Sequence, residues 1–206
     1  MPATHDGQFR PLLGGIGVYN PQSGAGMGTL SVVLTDDQGA RFVLSCYHVL
    51  CRKGAQAAPP PETIYQPLDP FGIARSVPGM SDSGLDSALA KINADVGFLR
   101  RSILGIGLLG DPVVPVVGMA VIKSGYETGV TEGVITQVST DKVEVGVPSG
   151  FSSNYILNAA GDSGAVWVTK DGAQPVAMHT GGIGSNSRIS KATRMDRIMM
   201  RHQLWL

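Results

Sequence analysis

Cysteine is scarce in this chain: there are two, Cys46 and Cys51, in 206 residues. One disulfide at most can form, which excludes the multiply bridged scaffolds common among small secreted domains. Charge is thin as well. Asp, Glu, Lys and Arg together make up 16% of the chain, and 16 cationic side chains cancel 16 anionic ones. With no basic excess to neutralise phosphates, neither nucleic acid nor an anionic membrane surface is an expected partner. No apolar run approaches the roughly 20 residues that span a bilayer. The first ten residues are polar, carry Asp6, and lack the basic flank and apolar centre of a secretion signal. A cytoplasmic protein is therefore the expectation, in a bacterial or phage setting and acting on a dedicated partner protein.

What the chain does have is apolar residues (43%), 28 glycines and 13 prolines. The glycines and prolines fall in turn-like clusters such as Asn20-Pro21, Asp37-Gln38-Gly39 and Asp171-Gly172. Between these lie short runs rich in Val, Ile, Leu and Thr, at 30–35, 41–45, 113–123, 133–139, 142–147 and 165–169. Short β-type runs between closely spaced turn signals predict an all-β sandwich or barrel. Residues 131–147 read as a hairpin turning at Thr140-Asp141. The C-terminus, from Lys191 onward, is the one good helix, with Met195, Ile198 and Met199 at helical spacing. Residues 55–82 read as long loops around a single strand, and 100–111 as the connection between two halves.

Three segments carry residues suited to chemistry. In Gly161-Asp162-Ser163-Gly164, a hydroxyl is flanked by glycines that let backbone N–H groups turn outward. A serine nucleophile needs such donors for the oxyanion it generates, and a nearby base. Ser45-Cys46-Tyr47-His48-Val49-Leu50 ends a β-like run and places an imidazole on a rigid element. Leu85-Asp86-Ser87-Ala88-Leu89 starts an alternating run with a carboxylate able to orient that imidazole. Asp95, in Asp95-Val96-Gly97-Phe98, competes for the same role but starts a less regular strand. Cys46 and Cys51 bracket His48, yet three soft ligands without a fourth in reach do not make a zinc site. The cysteines read as half-buried free thiols; no metal and no organic cofactor is expected. The order His48, Asp86, Ser163, with gaps of 38 and 77 residues, is the His-Asp-Ser order of the chymotrypsin barrels.

With these segments in place the chain resembles the trypsin-like (chymotrypsin-fold) serine peptidase family from about Gly14 to the C-terminal helix. Gly161-Asp162-Ser163-Gly164 is similar to the nucleophile motif, Ser45-Cys46-Tyr47-His48 to its Thr-Ala-Ala-His type segment, and Asp86-Ser87-Ala88-Leu89 to its Asp-Ile-Ala-Leu type segment. The stretch from Lys123 to Gly133 is similar to a hairpin entry in the bacterial and narrow-leaf-type intracellular members. The resemblance implies two antiparallel six-stranded-type β-barrels with a C-terminal α-helix, divided into 1–105, carrying His48 and Asp86, and 106–206, carrying Ser163. It implies a serine endopeptidase acting on protein or peptide through an acyl-enzyme, with an oxyanion hole from the N–H groups of Gly161 and Ser163. His179, Thr180 and Gly181 would pair with the substrate backbone beside the primary pocket. The family's Ile-Val-Gly-Gly start and the disulfide next to its catalytic histidine have no counterpart here, so Asp162 needs a partner other than a freed N-terminus.

The resemblance also bears on specificity. Leu157 stands where trypsins carry the aspartate that selects Arg or Lys, which argues against a cationic P1 residue. Val176-Ala177-Met178-His179-Thr180-Gly181-Gly182 is similar to the histidine segment of glutamyl endopeptidases and of picornavirus-type proteases. There the histidine bonds a P1 Glu or Gln; Asn158 would add a second donor. A non-catalytic barrel that binds peptides is the competing reading, since a fold does not fix a function. An esterase or a self-processing member of a polyprotein is another.

Overall fold

The computed structural model describes residues 5, 7–52, 61–183 and 188–206. The first half contributes β1 (Leu12–Gly14), β2 (Gly17–Val18), β3 (Gly28–Thr29), β4 (Val33–Thr35), β5 (Arg41–Ser45), a one-turn helix α1 (Tyr47–Leu50), β6 (Thr63–Ile64), β7 (Ala74–Asp82), β8 (Ser87–Ile92), β9 (Phe98–Ile103) and β10 (Gly107–Leu108). The second half contributes β11 (Ala120–Gly125), β12 (Gly129–Val138), β13 (Lys142–Gly146), β14 (Val166–Thr169), β15 (Pro175–Gly182), β16 (Ile189–Arg194) and the C-terminal helix α2 (Met195–His202).

In the second half six strands close into an antiparallel barrel in the order β11-β12-β13-β16-β15-β14, with β14 returning to β11. Alternation in the sequence drives this closure. In β13, Val143 and Val145 point inward while Lys142 and Glu144 are only half-buried. Trp167 fills the interior, surrounded by Val121, Ile135, Val145, Leu157 and Val176. The first half is a half-barrel. A five-stranded sheet, β4-β5-β8-β7-β6, stands beside a three-stranded sheet, β1-β9-β10, in which β1 runs parallel to β9. The expected antiparallel arrangement therefore holds throughout the second half but not at this pair. A second core fills the first half and continues across the junction to Val166, Val168 and Met178 of the barrel and Met195 and Ile198 of α2.

Several expectations shift in detail. The turn at 139–141 joins β12 to β13 as the hairpin reading predicts, with the Ser139 N–H donating to the Lys142 carbonyl at 2.8 Å. The run at 113–123 becomes strand only at Ala120, since Pro112 and Pro115 precede it without an N–H to donate. The described part of the stretch at 55–82 holds two strands rather than one; residues 55–60 lie outside the described set. In β7 the pairing with β8 breaks between Ser76 and Ser81, around Pro78-Gly79. Half of residues 100–111 belong to β9 and β10 rather than to a connection, and the chain crosses to the second half after them. The helix begins at Met195 and not at Lys191, because 189–194 pairs with both β13 and β15 and closes the barrel. The buried Met195, Ile198 and Met199 keep the predicted apolar face, each such burial being worth about 1.5–3 kcal/mol. Beyond α2, Trp205 bridges back to Thr35 in the first half.

Candidate active site

Strands β5 and β8 are hydrogen-bonded neighbours, with Ser45 opposite Ala88. This pairing carries the residues just beyond the end of β5 to those just before the start of β8. His48 sits on α1 immediately after β5, and Asp86 lies one residue before β8. Asp86 adopts a left-handed backbone (φ 53°), a conformation its short polar side chain tolerates. Its carboxylate is bonded twice to His48. Nδ1 lies 2.8 Å from Oδ2 and 3.0 Å from Oδ1, and the backbone N–H of His48 donates to Oδ1 at 3.1 Å. The ring is fixed in place at this edge, while 41% of the side chain stays exposed. Among the described residues Nε2 makes no hydrogen bond. Asp95, the competing carboxylate, is exposed on the turn between β8 and β9.

Ser163 lies on the turn before β14. That turn is tied to the first half by a ladder of bonds: the Thr29 N–H donates to the Ser163 carbonyl (2.7 Å), the Thr29 hydroxyl to the Gly161 carbonyl (2.8 Å), and the Ser31 hydroxyl to the Gly164 carbonyl. Glycine at 164 is required by space as well as by its φ of 103°, since a Cβ there would sit 2.0 Å from the Thr29 carbonyl oxygen. The His179 carbonyl joins the segments that carry Ser163 and His48, accepting from the Gly164 N–H (2.8 Å) and from the thiol of Cys46 (3.3 Å), two residues before His48. Ser163 is half-buried, and among the described residues no hydrogen bond links its hydroxyl to the His48 ring. Such bonds are often long in unliganded sites and shorten on substrate. At Gly161 the backbone has φ 106°, and neither its N–H nor that of Ser163 donates to a described residue.

Asp162 points the other way, into the protein. Its carboxylate accepts from Lys123 Nζ (2.8 Å), the Thr128 hydroxyl (2.6 Å) and the backbone N–H groups of Glu127, Thr128 and Ala159 (3.1 Å each). Both side chains of the Lys123–Asp162 pair are fully buried. Burial alone would raise the carboxyl, but the facing ammonium and the hydroxyl donor hold it below the usual carboxylate range. Burial pushes the Lys123 ammonium below its ordinary range, and Asp162 offsets part of that. Lys123 is thus the partner that Asp162 requires, and nothing in the spacing of the sequence singled it out. A lysine on the apolar run preceding a hairpin was the one available signal.

Leu157, Asn158 and His179 are each buried. The Leu157 carbonyl accepts from the Thr131 hydroxyl at 3.0 Å, and Asn158 Nδ2 donates to the Ile189 carbonyl at 3.3 Å. His179 Nδ1 lies 2.7 Å from the Ser190 hydroxyl, which also accepts from Trp167 Nε1–H at 3.0 Å. Burial first, and then the Lys123 charge, push His179 down to about 3, so its ring is neutral at ordinary pH. Ser190 and Trp167 were not read as site residues from the sequence. Past His179, among the described residues β15 pairs with β16 alone: Gly181 and Gly182 face Lys191 and Ser190, and no described strand pairs with the other edge.

Cys46 is fully buried and Cys51 half-buried, and both are free thiols. Burial pushes the Cys46 thiol well up, reinforced by the Asp86 charge. Cys46, His48 and Asp86 bring their donor atoms within 4.8 Å of one another, but Cys51 is not part of the group. His48 and Asp86 are bonded to each other and the thiol to a carbonyl, so the group is already satisfied by its own hydrogen bonds.

No family model matches the chain, and no curated protein matches it in sequence. Solved structures do match. A glutamic acid specific serine protease, described as using a novel histidine triad in substrate binding, superposes with a TM-score of 0.71 at 18% identity, covering 94% of this chain and 98% of that one. Protease A of Thermobifida fusca gives 0.67 at 16% identity, covering 94% and 97%. A Cellulomonas bogoriensis chymotrypsin gives 0.65 at 18% identity, covering 96% and 98%. The likeness establishes the chymotrypsin fold over nearly the whole length.

Proposed function

We propose that the chain is a serine endopeptidase in which Ser163 is the nucleophile, His48 the general base and Asp86 its orienting carboxylate. The observation that carries this reading is the His48–Asp86 geometry: Nδ1 is held by the carboxylate at 2.8 Å, which leaves Nε2 as the one nitrogen free to take a proton. Ser163 Oγ attacks the scissile carbonyl as Nε2 accepts its proton. The negative oxygen of the tetrahedral intermediate settles on the unspent N–H groups of Gly161 and Ser163. His48 then gives the proton to the leaving amine, and water hydrolyses the acyl-enzyme by the same route. The open edge at 180–182 adds the substrate backbone as a further strand.

We read Leu157, Asn158 and His179 as the lining of the primary pocket, which suits a P1 side chain of the Glu or Gln type. Leu157 offers no charge to a cationic residue, and the His179 ring offers a polar edge. The likeness to a glutamic acid specific protease supports the same class. Treatment with a fluorophosphonate tests the chemistry. A covalent adduct on Ser163 of the folded protein, lost in Ser163→Ala, is expected; a folded protein that takes no label and cleaves no peptide is a binder on a protease scaffold.

A further inference from the structure

We propose that Trp167 and Ser190 lock His179 as a neutral imidazole with its proton on Nε2, and that the pocket consequently selects glutamine over glutamate at P1. This rests on the endopeptidase reading above.

The argument is one of donors and acceptors. The indole N–H of Trp167 can only donate, and it donates to Ser190 Oγ at 3.0 Å. Ser190 is fully buried, so its own hydroxyl hydrogen needs an acceptor. Among the described residues the remaining partner is His179 Nδ1, at 2.7 Å. If Nδ1 carried the proton, Ser190 would accept twice and its hydrogen would have no acceptor. The relay therefore runs one way, from Trp167 through Ser190 to Nδ1, and the ring proton sits on Nε2. That edge makes no hydrogen bond with the described residues, although His179 is only 1% exposed. Nε2 is not among the enclosed polar atoms that lack a partner, so it stays open to water and can exchange that water for a substrate oxygen.

A neutral donor suits an amide oxygen. A carboxylate brought into the same place would lose its hydration against one uncharged N–H, which is expensive unless a cation answers it. The charged groups that act on His179 are Lys123, Asp162 and His48. Lys123 is closed in on Asp162, with both side chains fully buried. Arg188, just before β16, spends Nη1 on the carbonyls of Ser152, Ser153 and Tyr155. The glutamic acid specific neighbour is described as binding substrate with three histidines. Here His202 is bonded to Ser87 and His5 to Ser124, and His179 is backed by a serine and a tryptophan.

Two measurements test this. Peptides that differ only at P1 should give a kcat/KM for Gln about 10²-fold above that for Glu, the discrimination expected when one partner leaves a buried polar group badly matched. Ser190→Ala should cut the Gln-to-Leu ratio by about 10-fold, and Trp167→Phe should cut it less. Independently of turnover, ¹⁵N NMR of the His179 ring should show Nε2 protonated and Nδ1 bare from pH 5 to 8, with the Nδ1 tautomer appearing in Ser190→Ala. Glu cleaved as well as Gln, or a wild-type ring protonated on Nδ1, overturns the proposal. Labelling of Ser163 with a different P1 preference defeats this inference and leaves the endopeptidase reading standing. Absence of both label and turnover defeats the two together.

Discussion

Lys123 Nζ and Asp162 Oδ2 lie 2.8 Å apart with neither side chain reachable by solvent, directly behind the turn that carries Ser163. The carboxylate also collects three backbone N–H groups, two of them from the segment just after β11. The pair therefore pins the turn that carries Ser163 to the barrel wall from the inside.

Removing one member should be costly. Lys123→Met strands a buried carboxylate, and the expected loss of stability is about 3–5 kcal/mol, read from urea unfolding. Lys123→Met combined with Asp162→Asn should recover much of that loss. A single variant within 1 kcal/mol of wild type would show that the turn does not depend on the pair.

Ser163→Ala and His48→Ala should each lower peptide turnover by about 10⁴–10⁶-fold, and the double variant should be little worse, because the groups act as a unit. Asp86→Asn should cost about 10⁴-fold with the fold intact. Asp95→Asn should leave turnover unchanged, its side chain being exposed and making no bond to the His48 ring. Additive losses in the double variant would contradict the shared role.

Acid should destabilise the protein in two stages. His179 titrates at about 3 when folded, against an ordinary value of 6.5. Between those values the unfolded chain binds the extra proton, so the stabilisation is complete above about pH 6.5 and is lost as pH falls toward 3. Asp162 is likewise held below its ordinary 3.8, so its contribution is complete above that value and is lost below it. Urea midpoints measured from pH 7.5 to 3 should fall steadily, and His179→Leu should flatten the upper part of the slope. A midpoint independent of pH between 6.5 and 4 would be incompatible with a buried neutral ring.

The two thiols should be separable by alkylation. Cys51 is half-buried, with burial raising its thiol to about 11, while Cys46 is enclosed and its thiol is also pushed well above the ordinary range by burial. At pH 8 iodoacetamide should modify the native protein slowly and at Cys51 first, and two equivalents should react after unfolding. Rapid native labelling at Cys46, followed by mass spectrometry, would contradict its burial.

The fold was legible because alternation and turn residues act locally. Val143 and Val145 against Lys142 and Glu144 announce a strand, and the hairpin at 139–141 follows from its neighbours. The segments bearing His48, Asp86 and Ser163 stood out by residue types and order, and the structure bonds the first two to each other. What the sequence concealed depends on long-range pairing. Residues 189–194 have helical neighbours, yet two flanking strands claim them. Lys123 looks like a solvated lysine until barrel closure carries it to Asp162, 39 residues away. Ser190 and Trp167 look like an ordinary polar residue and an ordinary core residue until β14, β15 and β16 bring them beside His179.

The carbonyl oxygen of His179 is shared between Gly164 N–H and the Cys46 thiol, and under the proposed function it would tie recognition to reactivity through a single peptide unit. Retuning preference at this position by a substitution that tilts the strand would shift the attacking hydroxyl and the imidazole together. Efforts to broaden the range of cleaved sequences should therefore begin at Leu157 or Asn158, whose peptide groups make neither of those two contacts.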